Sequence, residues 1–106
     1  MTLLIALLLA APLDCKTTPA LAKKAKITCA NASKTALGKV PGATVKEAEL
    51  EEEHGKLVWS FDLATKGKSG IDEVQVDALT GEVSAVEHED AKSEAAEKAA
   101  EKAGKK

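Results

Sequence analysis

Leu57, Trp59, Phe61 and Leu63 stand at every second position, with Ser60 and Asp62 between them. A period of two marks a strand buried on one face, because successive side chains leave the pleated backbone on opposite sides. Trp59 and Phe61 are also the only aromatic residues of the chain, which has no tyrosine. Its core must therefore be aliphatic and built around that pair. Whatever else folds has to bring an apolar surface to the face these four side chains share.

The flanking segments can supply it. Residues 44–52 read as a glutamate-rich strand, with Val45 and then Ala48 and Leu50 as its apolar positions. That change from odd to even numbering predicts a bulge, or a strand that begins later than residue 44. Glu53-His54-Gly55-Lys56 is a turn, with Gly55 where positive φ costs little. Residues 71–78 form a further strand with Val74, Val76 and Ala78 inward, and residues 83–87 another after the turn Leu79-Thr80-Gly81-Glu82. Strands joined by such short turns pair antiparallel, since parallel pairs need a long crossover. Ahead of them Cys29, Ala32, Ser33, Ala36 and Leu37 recur at spacings of three and four behind Thr28, a suitable N-cap. Gly38 is expected to end this helix, and Val40-Pro41-Gly42-Ala43 forbids its continuation. The fold expected is α+β, one N-terminal helix on an antiparallel sheet of three to four strands.

Charge is distributed unevenly. Residues 23–43 carry five lysines and no acids, whereas residues 44–90 carry thirteen acids against four lysines. Every basic residue is lysine. Without the planar guanidinium fork a dedicated phosphate or nucleic-acid site is not expected. Residues 91–106 alternate alanine with lysine and glutamate and include the i,i+4 pairs Glu94–Lys98 and Glu101–Lys105. They read as a helix-prone or disordered tail with no large apolar face.

The first residues are of another kind. Residues 3–13 are apolar, of signal-peptide length and too short to span a bilayer, and Ala20-Leu21-Ala22 has the small-x-small form of a cleavage site. The expected division is a signal peptide over 1–22, a linker over 23–27, a domain over 28–90 and the tail. Cleavage there leaves Cys29 as a lone thiol, and a Cys15–Cys29 disulfide requires that the leader be retained. Leu13-Asp14-Cys15 also offers a lipoprotein-type ending, so membrane association is expected only through lipidation of Cys15.

The assembled segment, about residues 28–88, resembles the PepSY domain. The resemblance is carried by the helix leading into Val40-Pro41-Gly42-Ala43, by Val45 with Glu47 to Glu52, and by Gly55-Lys56-Leu57-Val58-Trp59. It continues through Glu73-Val74, Val76-Asp77-Ala78 and Thr80-Gly81-Glu82-Val83. It implies a secreted or membrane-linked module, periplasmic or extracellular, of the kind found in propeptides of thermolysin-like metallopeptidases. A protein partner, a peptidase among the candidates, is implied; a catalytic residue or cofactor is not. The signature residues Pro41, Gly42, Gly55, Trp59, Phe61, Val74, Val76, Asp77, Ala78, Thr80, Gly81 and Glu82 all have folding roles, with Asp77 expected to accept from amides near Thr80 and Gly81.

Other chemistry finds little support. A nucleophile needs an oriented base, and His54 and His88 sit among glutamates at predicted turns or strand ends, where they read as solvent-exposed. Glu51-Glu52-Glu53-His54 and Glu87-His88-Glu89-Asp90 are acidic but lack calcium-loop spacing. Binding is better founded. A sheet covered by one helix leaves a face open and an edge strand free to pair, and the acidic central segment would attract a basic partner. The alternative is a small envelope structural or weakly metal-binding protein using the same acidic face.

Overall fold

In a computed structural model, which describes residues 13–90, a five-stranded sheet in the order β1-β2-β3-β4-β5 carries two helices. The elements are β1 (Cys15–Lys16), α1 (Pro19–Ala22), α2 (Cys29–Lys39), β2 (Ala43–Glu53), β3 (Lys56–Thr65), β4 (Ile71–Asp77) and β5 (Val83–Glu89). β2 to β5 form an antiparallel meander. The expected α+β class holds, but the sheet is larger than expected, and β1 adds to β2 in parallel. Two residues of strand carry no period of their own, so only the partner strand makes β1 recognisable.

Alternation builds the core as the sequence pattern requires. Phe61, Leu63, Val74, Val76 and Ala78 are fully buried, with Leu57, Trp59, Ala48 and Leu50 nearly so. α2 closes this face with Ala32 and Ala36, whose small side chains bring the helix backbone close to the sheet. Full burial of a Phe, Leu or Val side chain contributes roughly 1.5–3 kcal/mol, so this one layer supplies most of the driving force. α2 starts where the Thr28 hydroxyl accepts from the Asn31 N–H at 3.1 Å. It does not stop at Gly38. The helix continues through Lys39 with Val40 as its C-cap, and the left-handed backbone falls at Gly42, φ 86°. The chain reverses at the Pro41-Gly42 turn, so that is where glycine is required.

The register of β2 slips between Val45 and Glu47, the bulge that the change of parity predicts. His54 and Gly55 form a two-residue hairpin turn with φ of 51° and 79°, the paired positive values that match sheet twist. β5 runs to Glu89, two residues beyond expectation. At Gly70 any Cβ would collide with the backbone of Glu89 and Asp90, so glycine lets the end of β5 cross the start of β4.

Ahead of α2, Cys15 and Cys29 are joined in a disulfide, the pairing expected where the segment carrying Cys15 is retained. Lys16 reaches Glu47 at 3.0 Å, and Lys24 reaches Glu52 at 3.3 Å. The Lys26 and Ile27 amides both donate to the Ala78 carbonyl at 2.9 Å, and the Trp59 indole N–H donates to the Ile27 carbonyl at 2.8 Å. Residues 13–27, expected as leader end and linker, are thus built into the folded unit. Ala20-Leu21-Ala22 lies in α1, capped by Thr18, with Leu21 against the core. The remainder of the expected leader and the whole tail lie outside the described residues. No helix among the described residues is long and apolar enough to cross a membrane.

Candidate functional site

The signature residues divide into core and turns. Trp59, Phe61, Val74, Val76 and Ala78 are buried under α2, whereas Pro41, Gly42, Gly55, Thr80 and Glu82 are exposed at turns. Asp77 organises the β4–β5 turn. Its Oδ1 accepts from the Leu79 N–H at 2.8 Å and the Thr80 N–H at 3.0 Å. Its carbonyl accepts from the Gly81 N–H at 2.8 Å, and its own N–H donates to the Glu82 carbonyl at 2.7 Å. The carboxylate therefore grips the amides of Leu79 and Thr80 rather than that of Gly81. Donation from Leu79 and then Thr80 holds the Asp77 carboxyl below the usual carboxylate range. Gly81 has φ 85°, and a Cβ there would press on the Ile27 side chain at 3.4 Å, which ties this turn to the segment before α2.

These residues build a frame. The chemistry lies on the other side of the sheet, where the alternation that buries Phe61 must display its neighbours. Glu47, Asp62, Glu73 and Glu87 stand directly opposite one another across β2 to β5, a row of four carboxylates. The next row is Glu49, Ser60, Gln75 and Ala85, followed by Glu51, Val58 and Asp77. Like charges directly opposite one another oppose pairing, so this face carries an electrostatic cost. Part is relieved locally: the Ser60 hydroxyl donates to Glu73 Oε2 at 3.0 Å and the Gln75 amide to Glu53 Oε1 at 3.0 Å. Partial burial first, then the carboxylates of Glu49 and Glu53, pushes Glu51 up to about 7. A shallow concavity of about 700 Å³ opens here, lined by Glu53, Lys56, Glu73, Gln75 and Glu87, with Val58 buried beneath.

His54 sits exposed in the β2–β3 turn. His88 does not simply face solvent. It points to the helix side, where its Nδ1 lies 2.8 Å from Oδ1 of Asp72, which is buried and also meets Lys68 at 3.5 Å. The sequence contained a signal for this: Asp72 has the same parity as Val74 and Val76, so a strand reading places an acid inward. Ser60 donates to Glu73 and Ser84 to the Gln75 carbonyl, so neither hydroxyl is coupled to His88. No group of three or more His, Cys, Asp or Glu among the described residues is arranged to hold a metal ion.

A helix-covered apolar face, backed by an open acidic one, defines a small α+β scaffold whose exposed chemistry is charge. The chain belongs to the PepSY family: the model of the peptidase propeptide and YPEB domain matches residues 26–87, more than half of its length. Comparison with curated proteins and with solved structures gave no match.

Proposed function

We propose that this chain is an exported, non-catalytic module that binds a basic region of a partner protein through its open acidic face and restrains an extracytoplasmic peptidase. The row Glu47, Asp62, Glu73 and Glu87 carries this reading. An array of like charges on a face that no described element covers is relieved by a cationic surface laid on it, and its field favours encounter with such a surface. The family's occurrence in peptidase propeptides supports a peptidase as the partner. The Cys15–Cys29 disulfide supports an oxidising compartment outside the cytoplasm.

The test is inhibition of a thermolysin-like metallopeptidase by the full-length chain. Saturable inhibition that weakens with salt is expected, together with its loss in a Glu49→Lys, Glu73→Lys double variant that keeps its circular dichroism spectrum. Undiminished peptidase activity at any concentration of the chain would falsify the restraining role.

A further inference from the structure

Resting on that binding reading, we infer that the site extends to the outer edge of β5, which accepts an extended partner segment alternating basic and aliphatic residues. Among the described residues β5 is the last strand of the sheet, with β4 as its neighbour. α2 packs across β2, β3 and β4, and on the same side of the sheet Val86 is 49% exposed. On the opposite side β5 presents Glu87, the end of the carboxylate row. A strand added beside β5 would place alternate residues on these two surfaces, aliphatic over Val86 and cationic over Glu87.

The far edge shows the same chemistry already satisfied. There β1 lies along β2, with Cys15 opposite Ala48 and turned to the core, and Lys16 opposite Glu49 with its ammonium on Glu47. The chain thus supplies an apolar-then-basic strand to one edge of its own sheet, while no described residue pairs with the other. Charge also selects against self-pairing. Two β5 edges brought together would set Glu87 and Glu89 of one copy against those of the next, and inward or edge charges of this kind oppose such association.

The experiment titrates the full-length chain with a heptapeptide alternating lysine and valine, with glutamate–valine and lysine–serine peptides as controls. Calorimetry gives affinity, and hydrogen exchange locates the contact. Expected is salt-weakened binding of the lysine–valine peptide with new protection in β5, reduced about tenfold by Val86→Lys and by Glu87→Lys. Both positions are surface-exposed, so folding is retained and is checked by circular dichroism. Equal binding of either control peptide, or binding untouched by both variants, overturns the proposal. So does protection, in the free chain, of those β5 amides that do not donate to β4, which means that residues 91–106 or a second copy already occupy the edge. If the peptide fails to bind while peptidase inhibition persists, this inference falls and the module's function stands.

Discussion

The two faces of the sheet are made by the same residues counted one step apart, and they obey different physics. On the helix side, Phe61, Leu63, Val74 and Val76 are fully buried, and stability there comes from excluded water and close packing. On the other side, Ser60 and Asp62 stand between them amid rows of carboxylates, where each added charge opposes the sheet that carries it. On the helix side the surface left over is small, chiefly Val86 on β5. The acidic side opposes its own pairing, and the proposed binding of a basic partner would relieve that cost.

Substitutions can break or sharpen that contrast. Phe61→Ala should be the most damaging, about 3–5 kcal/mol, because Phe61 is fully buried between sheet and helix. A large fall in the denaturant midpoint checks this; a loss under about 1 kcal/mol would mean that the covered face is not the core. Opening the clasp should come next. Cys15→Ala with Cys29→Ala, or reduction of the unaltered protein, frees a loop of sequence separation 14. The expected loss is about 3 kcal/mol, read as a lower melting temperature that a reductant lowers in the unaltered protein only.

The open face should respond in the opposite direction. Glu51 has a folded value of about 7, above its ordinary 4.5, so the folded state binds the extra proton between those values. Stability therefore falls as pH rises from about 4.5 to about 7. Glu51→Gln should leave stability near pH 4 unchanged and raise it at pH 8 by about 1 kcal/mol, solvent screening having reduced the full effect. Unfolding curves at the two pH values decide it, and a variant destabilised equally at both would contradict the electrostatic account. Smallest of all is Lys16→Ala, which removes an exposed ion pair to Glu47. The melting temperature should not change measurably, since such pairs contribute little.

Much of this was readable along the chain. The period-two segments locate β2 to β5, the break in parity between Val45 and Ala48 marks the bulge, and Thr28 marks the start of α2. Each of these is a local signal, expressed within a few residues by side-chain alternation or a capping hydroxyl. Gly38 has a helix-ending residue type, yet the helix runs through it to Lys39 and the left-handed position falls at Gly42. His88 seemed idle until β5 paired with β4 and set it opposite Asp72.

The open face was half legible. The excess of glutamate was visible, and so was its parity, but not that Glu47, Asp62, Glu73 and Glu87 form one row. Alternation by itself determined which face of the sheet each strand residue takes, because successive side chains leave a pleated strand on opposite sides. Register, the addition of β1 and the Cys15–Cys29 clasp were decided only when distant segments met, since each depends on contacts that no single stretch of chain contains. That meeting turned scattered glutamates into a continuous charged surface.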